Sequence, residues 1–315
     1  MKRPGLSALL VLAVAAVGAM IILVASLVTS AGPEVPVRLN PEERDPLLRV
    51  AGKEITRFHL NLARQHQKLR GGYQMPDFGL IREMLERAAG EEILRKYGRA
   101  LTPQDIVAER ARMERDSRDR ETQRKVIHLL DQYPGMFEML VVRPALVNNR
   151  LHDLQVHDRT IQKEAFEKAE AGLKEALRDA DYFRRMKQEA PERYARIDSR
   201  VAPGPENGPP QPPEMREQHN KAVMDWTSQY LSRVSPGEIK PEPLDSGGAM
   251  LVLRMIERDE SHVVYEQVAF PKIGFDAWLD SELKGIKAEV VDPAIRGELK
   301  QGLKDSPYGR WLFPD

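Results

Sequence analysis

The chain has 315 residues, enough for one large domain or two ordinary ones. Its 48 basic and 48 acidic residues balance, so the overall charge gives no reason to expect a nucleic-acid partner or an acidic ligand. The absence of cysteine excludes disulfides, thiolate nucleophiles and cysteine metal sites. Aromatic residues make up 6% of the chain and charged residues 30%, a balance typical of long solvated helices.

An uncharged apolar run from Leu6 to Val28 follows Lys2 and Arg3 near the amino terminus. A helix of roughly 23 residues rises about 34 Å, which is enough to cross a ~30 Å hydrocarbon core. We therefore predict a cytoplasmic tip and a transmembrane anchor over residues 1–32, held in membrane lipid through the apolar run. The basic residues beside its start predict that the amino terminus is inside and the body outside the cytoplasm. A cleaved signal peptide is the alternative, because small residues at 28–31 are suitable for cleavage.

The body begins with a predicted tether and a predicted helical region. Residues 33–48 hold four prolines and no helical stripe, which predicts an extended segment. Apolar residues from Ile81 to Ile93 recur at spacings of three and four, which predicts an amphipathic helix. Gly98 is suited to end that helix, and Thr102 is suited to cap the next one.

The middle of the chain is predicted to hold a long helical stretch and one exposed loop. An apolar stripe runs from Val147 to Ala176, and only Asp158 interrupts it, so we predict either a helical hairpin or one long helix enclosed by neighbours. Residues 202–213 contain six prolines and no core-forming residue, which predicts an exposed loop. The short segment after it, residues 221–231, has helical spacing.

The last third of the chain combines strands with helix. Residues 249–256 form an apolar run after a glycine pair, and residues 263–270 are rich in β-branched and aromatic side chains, so both are predicted strands. Residues 275–286 carry bulky apolar groups at helical spacing. Trp311 and Phe313 predict that residues 271–315 pack back on the helical part of the chain.

No arrangement of catalytic residues stands out. The seven histidines are spread without metal-ligand spacing, and the chain has neither a glycine-rich phosphate loop nor a Gly-x-Ser-x-Gly turn. We therefore predict no metal, no small-molecule cofactor and no catalytic residue.

Four stretches, in order, carry a resemblance to a known family: residues 50–56 (Val-Ala-Gly-Lys-Glu-Ile-Thr), residues 96–106, residues 165–183 and residues 234–253. The last contains Ser-Pro-Gly-Glu-Ile-Lys-Pro, and then Ser-Gly-Gly-Ala-Met-Leu-Val-Leu. They resemble the bacterial envelope chaperones that join a SurA-type helical domain to a parvulin-type (PpiC-like) peptidyl-prolyl isomerase module. The likeness spans roughly residues 48–290, in patches.

The resemblance implies an α+β fold, mostly α: the transmembrane helix, a SurA-like helical domain over residues 49–164, and a small parvulin-like α/β module with an antiparallel sheet over residues 165–270. The module departs from the family. Met250 stands where parvulins have a histidine in the last strand, and no strand is predicted before the helix at Ala165. Residues 186–213 replace the loop that carries the family's acidic or cysteine residue, so the module is predicted to be degenerate.

The implied function is that of a chaperone anchored in the inner membrane of a bacterium, with its body in the periplasm. It would bind unfolded or nascent exported polypeptides. As an isomerase it is predicted to be weakly active or inactive. Lowering the barrier to prolyl isomerisation requires an apolar pocket for the proline ring, but it does not require a nucleophile. An active isomerase and a structural tether for one envelope partner are the alternatives. The residues predicted to bind peptide are Phe183, Met224, Trp226, Tyr230 and Met250. The alternative for Met224, Trp226 and Met250 is that they are ordinary core residues.

Overall fold

The structure is a computed structural model that describes residues 45–70, 74–116, 121–201 and 212–314. Within these residues the chain is α+β and mostly helical, with two small antiparallel sheets. It divides into two units. We call Val156–Ile273 the sheet unit, and residues 45–155 together with residues 274–314 the helical unit.

The elements are these, in chain order: β1 (Pro46–Val50), β2 (Lys53–Thr56), α1 (Arg57–Arg70), α2 (Asp77–Lys96), α3 (Pro103–Asp116), α4 (Glu121–Asp131), a π-helical turn (Glu138–Val142), α5 (Arg143–His157), α6 (Lys163–Ala176), α7 (Tyr182–Glu189), β3 (Tyr194–Asp198), α8 (Pro213–Tyr230), β4 (Leu244–Asp245), β5 (Ala249–Arg258), β6 (Val263–Pro271), α9 (Phe275–Leu283), β7 (Ala288–Val290), α10 (Pro293–Leu303) and α11 (Pro307–Leu312).

A three-stranded sheet joins the two chain segments of the helical unit. Its order is β2-β1-β7, and both pairings are antiparallel. The β1–β2 hairpin turns through Ala51 and Gly52, whose φ angles of 50° and 80° suit the two-residue turns that match strand twist. On the other edge of β1, Leu48 pairs with Val290 of β7. This pairing brings residues 274–314 into the same unit as residues 45–155.

The core of the helical unit depends on a close approach of α2 and α5. The predicted apolar stripe of α2 is buried, including Ile81, Met84 and Ile93. Gly90 lies on the same helix, and a Cβ atom at this position would overlap the side chains of Val147 and Leu151 in α5. Glycine is therefore required where the two helices touch.

The sheet unit is built on a long antiparallel hairpin. Strands β5 and β6 pair from Ala249 opposite Pro271 to Arg258 opposite Val263, and the full sheet has the order β3-β6-β5-β4. Helices α6 and α7 pack on one face and α8 on the other. Gly172 of α6 lies so close to the first face that a Cβ atom there would come within 2.6 Å of the Phe270 ring.

A buried lysine fixes the ends of the sheet unit. The side chain of Lys272 is 1% exposed, and its Nζ donates to the Val156 carbonyl (2.5 Å) and to Asp245 Oδ1 (2.6 Å). The same carboxylate accepts from the Gly247 N–H, at the turn into β5. Burial acts to raise the pKa of Asp245, but the hydrogen bonds from Lys272 and Gly247 outweigh it, and the pKa is lowered.

Four predictions need correction or fall outside this description. The predicted transmembrane helix is the part of the fold class that is corrected: no helix among the described residues is both long and apolar enough to cross a membrane. Its segment, residues 6–28, lies outside the described residues, as do residues 33–44 of the predicted tether and residues 202–211 of the predicted loop.

Of the two alternatives for Val147 to Ala176, the single long helix is wrong, because α5 ends at His157 and α6 begins at Lys163, so this stretch forms two helices. Asp158 Oδ1 accepts hydrogen bonds from the backbone N–H groups of Thr160 (2.8 Å) and Ile161 (3.2 Å), which closes a turn between the helices. A side chain that bonds to its own following backbone competes with the helical hydrogen bonds, and here the turn prevails.

Candidate polypeptide-binding face

The side chains of β5 alternate between the two faces of the sheet. Leu251, Leu253 and Met255 point to the side of α8, where Val263 and Tyr265 from β6 join them. We call these five side chains the α8 face. All five are buried and none carries a charge. The α8 face is therefore a continuous apolar surface whose exposure to water is controlled by what covers it.

Helix α8 covers this surface but buries little of itself against it. Of its 18 residues only Thr227 is buried, at 2% exposure. Met224 and Trp226 are half-buried, and the Trp226 ring stacks on Tyr265 with 5.3 Å between ring centroids and 20° between planes. Residues 213–218 are all exposed. Most helical stability in proteins comes from burial of an apolar face, and α8 has little of it.

Buried polar atoms that lack hydrogen-bond partners weaken the packing of α8 on the sheet further. His219 Nε2, Asn220 Oδ1 and Thr227 Oγ1 are buried without a hydrogen bond within the part of the chain that the structure describes. Each such atom costs about 1–3 kcal/mol relative to its hydrated state. The Asn220 side chain does donate to the Ser261 carbonyl, but at 3.5 Å. Lifting α8 would return all three atoms to water.

The carboxyl end of α8 is held more firmly than its amino end. Leu231, the next residue, is buried, and its N–H donates to the Thr227 carbonyl at 2.8 Å. Its carbonyl accepts from Arg258 Nη1 at 2.9 Å. Helix α8 is thus anchored at its carboxyl end and weakly packed over the rest of its length. Segments with few buried contacts open locally at a free energy well below that of global unfolding.

The five predicted peptide-binding residues do not lie together. Met224, Trp226 and Tyr230 are on α8, with Tyr230 39% exposed. Phe183 and Met250 lie on the opposite face of the sheet, in a core that they share with α6 and α7. They are 1% and 3% exposed, so neither contacts a bound peptide in this conformation. Neighbours in a strand point to opposite faces, which separates Met250 from Leu251.

Several charged groups of the sheet unit are engaged in ion pairs that hold the fold. Arg254 pairs with Glu266 (2.5 Å) and lies 4.6 Å from the centre of the Phe183 ring, while His262 Nε2 contacts Asp198 Oδ1 at 3.0 Å. No group of three or more histidine or acidic side chains within the described residues is placed to hold a metal ion. The arrangement offers an apolar surface under a displaceable helix, which suits non-covalent binding.

Sequence reasoning missed the residues of α8 whose polar atoms weaken its packing on the sheet. The predicted helix covers residues 221–231, whereas α8 begins at Pro213. The first eight residues have no apolar stripe, so periodicity does not reveal them. One signal was available: Thr227 lies between Val223 and Leu231 at spacings of four, which puts a hydroxyl in the middle of an apolar stripe.

No protein-family model matches the chain, and no curated protein resembles it at a significant level. The likeness to SurA-type and parvulin-type chaperones therefore stays a prediction. So do export and the location of the body outside the cytoplasm, because residues 1–32 lie outside the described part of the chain.

Proposed function

We propose that the protein is a chaperone that binds unfolded segments of other polypeptides on the α8 face, when α8 lifts from it. The observation that carries the proposal is an 18-residue helix that lies over an apolar sheet surface, with a single buried residue and three buried polar atoms that have no partner among the described residues. Binding requires neither ATP nor bond chemistry. An arriving apolar segment replaces the weak cover that α8 provides.

Apolar contact supplies the affinity. Burial of apolar surface contributes about 25 cal/mol per Å², and this contribution depends little on which apolar side chains are buried. A surface of aliphatic and aromatic groups such as Leu253 and Tyr265 would therefore accept many sequences with similar affinity. Broad acceptance with modest affinity is what a client-binding chaperone needs. The exposed Tyr230 at the end of α8 extends the apolar area at its rim.

The resemblance stated for the sequence gives independent support. A parvulin-like module implies an antiparallel sheet with helices, and the sheet unit has four antiparallel strands with helices on both faces. The likeness also implies unfolded exported polypeptides as the clients. Met250, at the position of a family histidine, packs in the closed core. This favours binding over isomerisation as the main activity.

The test is aggregation of a chemically unfolded protein, followed by light scattering, with and without the full-length chain. Suppression at stoichiometric amounts is expected. Absence of suppression at a severalfold excess would overturn the proposal. Acceleration of a proline-limited refolding reaction would instead assign an isomerase, and a pull-down dominated by one stoichiometric partner would assign a structural tether.

A further inference from the structure

The helical unit contains a small, largely apolar cavity that the proposed function does not use. Its volume is about 70 Å³. Seven of its eleven lining residues are apolar, among them three methionines and two leucines, and one arginine reaches it. A water-sized group needs about 10–15 Å³ of such space, so the cavity holds about five to seven groups of that size. The lining residues are Ala63, His66, Gln67, Met75, Leu80, Glu83, Met84, Arg87, Met139, Leu140 and Pro144.

Arg87 is an unusual residue to find at this position. Its side chain is 11% exposed, and Nε is fully buried without a hydrogen bond to any residue that the structure describes. Its guanidinium pairs with Glu91 only at 3.9 Å. Burial lowers the pKa of Arg87, because the charged form is poorly solvated. Buried arginines are ordinarily paired and fully hydrogen-bonded.

The charge of Glu91 is already shared among three cations. Lys53 donates to one oxygen, and Arg143 Nη1 donates to the other at 3.2 Å. Arg87 is the most distant of the three. Glu83 also lines the cavity and is engaged in an interaction of its own. Of the three cations around Glu91, Arg87 is therefore the one that its carboxylate compensates least.

We propose that this cavity binds a short aliphatic carboxylate, with the carboxylate on the Arg87 guanidinium and the alkyl group between Met84 and Met139. An anion there would give Arg87 the charge-assisted hydrogen bonds that it lacks. The methionine side chains are flexible and adapt to an alkyl group of four or five carbons. Both a free acid and the carboxyl-terminal residue of a polypeptide supply a carboxylate beside a short alkyl group.

The test uses methyl NMR spectra of the full-length chain labelled at its methionine methyl groups, titrated with isovalerate. A ligand of about seven non-hydrogen atoms is expected to bind with a dissociation constant on the order of a millimolar. Saturable shifts are expected for the methyl groups of Met75, Met84 and Met139, and none for Met250, which lies in the other unit. The absence of saturable shifts at those three positions would overturn the proposal.

Charge recognition is tested with isovaleramide and with one variant. The amide and the variant Arg87→Gln are each expected to weaken binding by tenfold or more, because a hydrogen bond to a charged group is lost. Arg82→Gln, on an exposed part of the same helix, is the matched control and should bind as the parent does. Equal binding of acid and amide would contradict the proposal.

A second variant keeps the proposal testable if Arg87→Gln does not fold. Met139→Phe fills part of the cavity and leaves Arg87 in place, and binding of isovalerate should be lost. Unchanged binding would contradict the location. A short peptide ending in leucine, compared with its carboxyl-terminal amide, then distinguishes the two sources. Tighter binding of the peptide acid than of isovalerate assigns a polypeptide terminus, and tighter binding of isovalerate assigns a free acid.

Discussion

The substitution Thr227→Val should seat α8 more firmly and make the protein a poorer chaperone. Thr227 is 2% exposed, and its Oγ1 has no partner among the described residues. Valine has the same shape without the hydroxyl, and the two residues have similar helix propensities. Removal of an unsatisfied buried hydroxyl should stabilise the closed position by about 1–2 kcal/mol. The open population should fall by a factor of about 5–30.

Hydrogen exchange of the α8 backbone amides measures this population directly. Exchange in residues 216–230 should slow by that factor in Thr227→Val, and the amount of protein needed to suppress aggregation should rise. Ser228→Ala is the matched control, because Ser228 is exposed on the same helix, and it should change neither quantity much. Equal or faster α8 exchange in Thr227→Val would refute the reasoning, since it would mean that the hydroxyl is satisfied in the native protein.

Two further substitutions and one pH dependence test the packing. Asp245→Asn leaves the buried Lys272 without its counter-charge and should lower the free energy of unfolding by about 3 kcal/mol, measured with urea. Because the pKa of Asp245 is lowered in the folded state, its contribution is complete above the unfolded pKa of about 3.9 and is lost as pH falls through the folded pKa. The loss should be absent in Asp245→Asn. Gly90→Ala should destabilise by about 1–3 kcal/mol because of overlap with Val147, whereas Gly297→Ala, which meets nothing within 4 Å, should be neutral or slightly stabilising in thermal melts.

Local signals in the sequence predicted the elements that depend on them. Gly98 has a φ of 68° at the end of α2, and the Asp105 N–H donates to Thr102 Oγ1 at the start of α3, as the cap signals indicate. Strands β5 and β6 lie where the apolar runs predict them, after a turn in which Gly247 has a φ of 83°. These features are decided by backbone geometry and neighbouring side chains, which a sequence displays directly.

The candidate site depends on contacts that a sequence does not display. The register of β5 decides that Met250 faces the closed core while Leu251 faces α8, and one residue of shift would exchange them. The weak packing of α8 depends on which of its buried polar atoms form hydrogen bonds. The isolation of Arg87 depends on how Glu91 divides its charge among cations from three parts of the chain.

The central claim, that unfolded polypeptide binds on the α8 face, is tested most directly by photo-crosslinking from one residue packed on each face of the sheet. Trp226 and Tyr194 are both half-buried aromatic residues, one packed on each face, and each can be replaced by benzoylphenylalanine in the full-length chain. Irradiation with an unfolded protein should give crosslinks from position 226 and few from position 194. Equal crosslinking from both positions, or crosslinking from position 194 alone, would contradict the account.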